Sequence, residues 1–255
     1  MPSMGANESD AIEPGVDAPR FVPLYRQIKA LITRGLRDGT WLPGGAIPSE
    51  MELAARFNVS QGTVRKAIEE LAAENLLVRR QGRGTFVATH DEPRTQFRFL
   101  RLRPDDGVEQ GFVNRILECR RARAPVDIAR SLALRSGEAV ILIRRLLSLG
   151  ETPTVLDEIW LPGRRFRGLT TERLAARGGP LYGMFEREFG TRMIGANERL
   201  KAVAAGREVA RALQVAEGAP LLQVERVSFT YDNVPVEVRK GHYVTETHHY
   251  ATEVG

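Results

Sequence analysis

The sequence predicts an α+β protein with two domains, a small helical one followed by a larger one built on a largely antiparallel sheet. Three amphipathic helical patterns and a short β-hairpin follow one another within residues 21–88. A charged run with two prolines at 89–107 has the composition of a linker. From 108 to 255, pairs of strand patterns are interrupted by short helical ones, which favours an α+β domain.

Composition limits the classes of protein. The chain has 255 residues, 42% of them hydrophobic, which is enough for a core in each domain. Its net charge of +5 permits a nucleic-acid partner. Cys119 is the only cysteine, so an internal disulfide is excluded and the reducing cytoplasm is expected. No run approaches the roughly 20 apolar residues of a membrane span, and the polar residues 1–20 are expected to form a disordered tail rather than a secretory signal.

The first helix is predicted over residues 23–39, PLYRQIKALITRGLRDG. Pro23 suits a helix start and Gly39 a helix end. One apolar stripe is expected to face the core, consisting of Leu24, Ile28, Leu31, Ile32 and Leu36.

Two further helices follow with almost nothing between them. Ser49 and Glu52 form the S-x-x-E pattern of a capping box, which starts the second helix. Ser60 is a natural N-cap for the third helix. The buried side of the third helix is expected to carry Val64, Ala67, Ile68 and Leu71. A hairpin is predicted next, with strands at 76–80 and 85–88 and a tight turn at 81–84.

Two helices joined by a short turn, on a scaffold helix, form a helix-turn-helix, whose second helix fits the DNA major groove. Short polar residues at the start of that helix would allow close approach to the bases, and Gly62, a poor helix former, would be explained by it. The hairpin would be a wing with arginines for phosphates or the minor groove. The alternative is a solvated helical domain with ordinary surface charge. Residues predicted to contact DNA are Ser49, Met51, Ser60, Gln61, Gly62, Thr63, Arg65, Lys66, Gly82 and Arg83.

Residues 21–88 resemble the winged helix-turn-helix of the GntR family of bacterial transcription regulators. The resemblance rests on PLYRQIKALI, LPGGAIPSEMELAARFNVSQGTVRKAIEEL and LLVRRQGRGTFV. The second half is similar to the UTRA effector-binding domain of the HutC-type subfamily, through IRRLLSLGETPTVLDEIWLP, PLYGMFEREFG and VPVEVRKGHYV. The resemblance implies a chorismate-lyase-like fold without enzyme activity, a homodimer and a double-stranded DNA operator. It implies no cofactor.

Two DNA-contacting positions depart from the family pattern. In relatives, the positions of Met51 and Gln61 are often arginine, whereas Arg65, Thr63 and Gly82 match the family. Methionine can touch a thymine methyl group, and glutamine can pair with adenine. The operator is therefore expected to differ from the usual family half-site, unless Met51 only packs.

The effector site implied by the resemblance also departs from the family pattern. In relatives that bind phosphosugars, two arginines and a serine before a tyrosine hold the phosphate. Arg145 matches the first arginine, but Leu147 and Pro180 replace the second arginine and the serine. A small polar or carboxylate metabolite is therefore expected, anchored by Arg145 or Arg239. The expected effector-binding residues are Arg145, Asp157, Tyr182, Glu237, Arg239 and Tyr243.

Other readings of the chain remain open. An enzyme of the chorismate-lyase type could use Glu237 and Arg145, and an architectural DNA binder would use the second domain only to oligomerise. Surface histidines explain His242, His248 and His249 better than a metal site, because adjacent strand residues point to opposite faces. Cys119 is a packed cysteine or, less simply, a thiol sensor next to Arg120. We therefore expect a cytoplasmic, ligand-responsive repressor.

Overall fold

The computed structural model describes residues 22–90, 100–108, 111–176 and 179–252. The expected disordered tail, residues 1–20, lies outside the described residues, as do residues 91–99 of the expected linker. No helix within the described ranges is both long and apolar enough to span a membrane.

The first domain has the predicted order of elements. It consists of α1 (Leu24–Arg37), α2 (Glu50–Phe57), α3 (Gln61–Ala73), β1 (Leu77–Arg80) and β2 (Gly84–Val87). The two strands pair antiparallel, with Leu77 opposite Val87 and Arg80 opposite Gly84. The predicted buried face of α3 is confirmed, because Val64, Ala67 and Ile68 are fully buried.

The predicted stripe on α1 is only partly correct. Ile28, Ile32 and Leu36 are buried, but Leu24 and Leu31 are 49% and 42% exposed. Because α1 packs mainly on α3, it buries one narrow row of side chains at a spacing of four residues, and the flanking leucines stay at the edge.

The second domain is built on a six-stranded antiparallel sheet. Its strands are β4 (Phe112–Arg123), β5 (Ala139–Leu149), β6 (Thr152–Pro162), β7 (Gly195–Ala204), β8 (Pro220–Phe229) and β9 (Pro235–Tyr243). Their spatial order is β4-β5-β6-β9-β8-β7. Two of the strand pairs form hairpins: β5 and β6 meet around Gly150, and a 3-10 turn at Tyr231–Asn233 joins β8 to β9.

Short helices cover the two faces of this sheet. They are α4 (Val126–Ser131), α5 (Thr171–Ala176), α6 (Leu181–Phe189) and α7 (Arg207–Leu213). On one face, Ile143 and Ile159 of the sheet pack with Phe185 of α6. On the other face, α4 and α7 pack over Val140 and Leu146. Near the start of α6, side chains of β5 and β9, among them Arg145 and Arg239, line a polar cavity instead of an apolar core.

The end of the expected linker belongs to the second domain. Leu100 and Leu102 are buried against Tyr243. Strand β3 (Leu102–Pro104) pairs antiparallel with β10 (His248–Tyr250). The linker predicted over 89–107 is therefore shorter than expected at its C-terminal end, because its apolar residues find a core.

Candidate functional site

The starts of α2 and α3 are set by hydroxyl groups. Ser49 Oγ accepts a hydrogen bond from Glu52 N at 3.2 Å, and Glu52 Oε2 accepts one from Ser49 N at 2.8 Å. Ser60 Oγ accepts from Thr63 N at 3.2 Å and lies 2.9 Å from Thr63 Oγ1. Asn58 turns the chain between the helices with a φ of 53°. Three of the predicted DNA-binding residues, Ser49, Ser60 and Thr63, thus also orient the two helices.

The predicted base-reading residues lie exposed at this helix pair. Met51 is 71% exposed, so it does not pack in the core. Gln61, Gly62 and Arg65 are exposed as well. A Cβ added at Gly62 would meet nothing closer than Ser60 Oγ at 3.9 Å. Packing within the chain therefore does not require the glycine.

Glu50 is a member of this surface that the sequence analysis missed. Its carboxylate accepts hydrogen bonds from Arg65 Nε and Arg79 Nη2, both at 2.9 Å, and from Gln61 Nε2 at 3.4 Å. In the sequence, an acidic residue in the first turn of a helix is explained by the helix dipole, so the contacts of Glu50 with α3 and the wing were not predicted. Glu50 links α2, α3 and the wing into one polar face.

The remaining predicted residues flank that face. Lys66 Nζ lies 4.2 Å from the centroid of the Tyr25 ring, so the side chain extends along α1. At the wing tip, Gly82 has a φ of +68°, which an L side chain rarely adopts. Arg83 is exposed beside it. Lys66 on α3 and Arg83 at the wing tip are thus both exposed cations.

A second polar site lies between the sheet and α6. It is a cavity of about 50 Å³. Its lining consists of His90, Leu100, Asn114, Arg145, Leu147, Gly179, Pro180, Leu181, Tyr182 and Arg239. Leu147 and Pro180, the two positions that depart from the phosphosugar-binding pattern, are thus next to Arg145. Among the described residues that line the cavity, none carries a carboxylate.

Two buried carboxylates lie behind the arginines of the cavity. Asp157 Oδ2 accepts from Arg145 Nε at 2.9 Å and Nη2 at 2.7 Å, and from Arg239 Nη1 at 3.3 Å. Glu237 pairs with Arg239, whose Nη2 donates to its Oε2 at 3.0 Å. Burial alone would raise the pKa of the Asp157 carboxyl, but the charges of Arg145 and Arg239 outweigh it and lower this pKa. Asp157 therefore stays ionised, and both acids orient the guanidinium groups through these contacts.

Tyr182 connects α6 to this network. Its hydroxyl donates to Glu237 Oε1 at 2.6 Å and lies 3.3 Å from Ser228 Oγ. Burial, together with the Glu237 charge, raises the pKa of the Tyr182 phenol, which keeps it a donor at neutral pH. Glu237 is held by Tyr182, Ser228 and Arg239 at once, which does not leave it free to act as the acid that the enzyme alternative needs.

The expected effector-binding residues therefore fall into three groups. Arg145, Tyr182 and Arg239 line the cavity. Asp157 and Glu237 are completely buried behind it and orient the arginines. Tyr243 does not line the cavity: it is buried in an apolar cluster with Leu100 and Leu147, and its ring meets that of Tyr250 edge-on with centroids 6.2 Å apart.

Five further lining residues were not found from sequence. They are His90, Leu100, Asn114, Gly179 and Leu181. Asn114 could have been identified only from the strand register, which sets it opposite Leu147. His90 and Leu100 lie in the region that was expected to be a linker.

The other candidate chemistries find ordinary contacts. Cys119 Sγ lies 3.8 Å from the Leu169 carbonyl, and burial raises the pKa of its thiol to about 11. Arg120 does not lower this pKa as the thiol-sensor reading required. His249 Nδ1 lies 2.7 Å from Asp105 Oδ1. Across the described ranges, no group of three or more metal-ligating side chains occurs.

Two family models match the chain. The model of the gntR family of bacterial regulatory proteins matches residues 24–87, and the model of the UTRA domain matches residues 109–249. The first match contains the helix pair and the wing, the second contains the cavity residues of the sheet and α6, and His90 and Leu100 lie between the two matches.

Relatives cover most of the chain. The HTH-type transcriptional regulator Rv0792c of Mycobacterium tuberculosis is 35% identical over 213 residues, which are 82% of this chain and 77% of the relative. The "Probable fructoselysine utilization operon transcriptional repressor" of Escherichia coli K12 is 29% identical over 217 residues, 84% of this chain and 88% of the relative.

A solved structure is also similar. It is the crystal structure of the ligand-binding domain of a protein described as a GntR-family transcriptional regulator from Bordetella bronchiseptica. It is 55% identical, covers 61% of this chain and 96% of its own, and has a TM-score of 0.58. The chain belongs to the GntR family of bacterial transcriptional regulators, as a DNA-binding member that carries a UTRA domain.

Proposed function

We propose that the protein is a ligand-responsive repressor that binds a palindromic operator as a homodimer in the bacterial cytoplasm. A single recognition helix reads few bases, and a dimer on a palindrome reads twice as many. Repression is supported by the names of relatives, among them the repressor from Escherichia coli and the repressor NagR of Bacillus subtilis.

The effector we propose is a small polar metabolite with a carboxylate. The observation that carries this proposal is the state of the Arg145 guanidinium. Its Nε and Nη2 donate to Asp157, Nη1 has no partner among the described residues, and the Arg145 side chain lines the cavity. A carboxylate oxygen at Nη1 would form a charge-assisted hydrogen bond.

A phosphate fits this site less well. It carries more negative charge than a carboxylate and needs several donors, and Leu147 and Pro180 offer no side-chain donor. The neighbouring guanidinium of Arg239 already donates through Nε, Nη1 and Nη2 to Glu237 and Asp157. The lining suits a ligand that places one carboxylate at Arg145 and packs an apolar body against Leu147 and Leu181.

Two experiments test the proposal. Selection of bound sites from random DNA at moderate salt is expected to return a palindrome, and sedimentation is expected to show a dimer at micromolar concentration. Titration with a panel of organic acids and sugar phosphates, followed by thermal unfolding, is expected to raise the melting temperature with acids. The Arg145→Gln variant should lose that shift. Stabilisation by sugar phosphates alone would refute the carboxylate.

A further inference from the structure

Both ends of the segment that joins the two domains lie at the cavity. His90 directly precedes residues 91–99, and Leu100 directly follows them. Both residues line the cavity, together with side chains of β4, β5, β9 and α6. A molecule bound beside Arg145 would thus touch the chain at the points where it leaves one domain and enters the next.

Glu186 of α6 holds the chain at His90. Its Oε2 accepts a hydrogen bond from Thr89 Oγ1 at 2.7 Å and another from His90 N at 3.0 Å. His90 Nε2 donates to the Met193 carbonyl at 2.8 Å. Glu186 lies one helical turn after Tyr182, whose ring meets the His90 ring edge-on at 5.8 Å between centroids.

Arg192 extends this contact to the recognition helix. Its Nε lies 3.4 Å from Glu186 Oε1. Its Nη2 donates to the carbonyls of Asn75 at 3.3 Å and Leu76 at 3.5 Å, directly after the end of α3. Glu186 and Arg192 are only 7% and 5% exposed, so the pair is shielded from solvent and depends on its partners.

We propose that Thr89, His90, Glu186 and Arg192 form a clasp that fixes the first domain on the second, and that a ligand in the cavity opens it at His90. This proposal rests on the proposed function of the cavity as an effector site. It identifies the contacts through which the site regulates DNA binding.

The size of the cavity supplies the reason for opening. Its volume of about 50 Å³ is far below the roughly 300 Å³ at the lower end of small-molecule sites. A ligand must therefore move part of the wall. The β5 and β9 walls are fixed by ladder hydrogen bonds to neighbouring strands on both sides. His90 belongs to no strand and hydrogen-bonds to Glu186 and Met193 instead. We therefore take His90 as the part of the cavity wall that moves.

Displacement of His90 would reach the recognition helix through two steps. Once the hydrogen bonds from His90 and Thr89 are lost, Arg192 is the remaining partner of Glu186. Arg192 also donates hydrogen bonds to the carbonyls of Asn75 and Leu76 after α3, so a change at Glu186 reaches that helix end. A ligand that binds only the open arrangement would shift the equilibrium by its differential affinity, which is the requirement for allostery.

The test compares full-length variants. Thr89→Val removes one hydrogen bond of the clasp and keeps the side-chain shape. Glu186→Gln combined with Arg192→Met removes both buried charges together, which avoids leaving one unpaired. Glu188→Gln is the matched control, because Glu188 lies on the same helix and pairs with Arg173 away from the clasp. Circular dichroism of each variant confirms that it folds.

Two readouts are measured for each protein. The first is amide hydrogen exchange across residues 70–90 without any ligand. The second is affinity for DNA selected by the wild type, with and without millimolar sodium benzoate or sodium acetate as carboxylate probes. We expect severalfold faster exchange in the clasp variants only. We also expect the DNA affinity of the clasp variants to equal that of the wild type with a probe bound, and to differ at least about fivefold from that of the wild type without a probe. Adding a probe should not change the DNA affinity of the variants.

The outcomes separate the two proposals. Unchanged exchange in the double variant, or a probe response equal to that of the wild type, would overturn the clasp and leave the effector site standing. If neither probe changes the melting temperature of the wild type, the proposal of a carboxylate effector is refuted. The hydrogen-exchange comparison alone then tests the clasp.

Discussion

Glu50 Oε2 accepts a hydrogen bond from Arg65 Nε at 2.9 Å, so an acid on α2 holds a cation of α3 at the surface that is predicted to face DNA. The same carboxylate holds Arg79 of the wing. An acid at this surface opposes phosphate binding, yet it restricts the geometry of the two arginines. It therefore favours sequence discrimination over total affinity.

Removing this acid should exchange specificity for affinity. In Glu50→Gln, we expect the affinity for random DNA to rise about threefold at low salt, because one negative charge is lost. The preference for the selected site over random DNA should fall about tenfold, since Arg65 and Arg79 lose their fixed positions. Competition binding measures both. Glu74→Gln, which removes the same charge at the other end of α3, should leave the preference unchanged, and a preserved preference in Glu50→Gln would contradict this role.

Gly62 should be needed for DNA and not for folding. Alanine is the better helix former by up to about 1 kcal/mol, and a Cβ at this position has room within the chain. Gly62→Ala is therefore expected to keep or raise the melting temperature and to weaken operator binding about tenfold. Calorimetry and fluorescence anisotropy check the two effects. Equal operator affinity would mean that the helix does not approach the bases at this residue.

Met51 and Gln61 should determine how the operator differs from the common family half-site. We expect selection from random DNA to return different half-sites for the wild type and for the Met51→Arg and Gln61→Arg variants, because arginine reads guanine. Leu200→Arg adds the same charge on the exposed edge strand β7 and should return the wild-type site. Identical half-sites for all four proteins would show that affinity at these positions rests on phosphate contacts.

Asp157 should stabilise the second domain in a pH-dependent way. Asp157→Asn leaves Arg145 without its buried partner, which should lower the free energy of unfolding by about 3–5 kcal/mol near pH 7. The Asp157 pKa lies below the ordinary value of 3.8, so its stabilisation is present above that value and is lost as the pH falls through the folded pKa.

Urea unfolding at pH 7 and at pH 3 measures this difference. The gap between wild type and Asp157→Asn should narrow at pH 3. The exposed Asp127→Asn control on α4 should change stability by less than about 0.5 kcal/mol at either pH. A gap of the same size at both values would mean that the Asp157 charge is not what stabilises the site.

Local sequence signals predicted the first domain well. Ser49, Glu52 and Ser60 determine where α2 and α3 begin through hydrogen bonds within a few residues, so the pattern alone suffices. Side chains alternate between the two faces along β5, so only one of the adjacent Arg144 and Arg145 can reach the cavity. Arg145 does, while Arg144 pairs with Glu158 and Glu208 on the other face.

Elements with weak local signals were missed or misjudged. Strand β7 is an edge strand whose residues are mostly exposed, three of them charged, so it lacks the apolar alternation that marks a strand. Leu24 and Leu31 fit the helical stripe of α1 and still lie exposed, because periodicity does not say how much of a helix its neighbours cover.

The sequence by itself determined the fold class, the helix starts and the wing turn, since their signals lie in residues close together in the chain. Only the tertiary structure decided that Asp157 and Glu237 lie behind the arginines, that Tyr243 is outside the cavity, and that His90 and Leu100 border it. Several of those relationships join residues far apart in the chain, such as Asp157 and Arg239, which are 82 positions apart. Strand order and helix packing bring them together, and no local pattern records either.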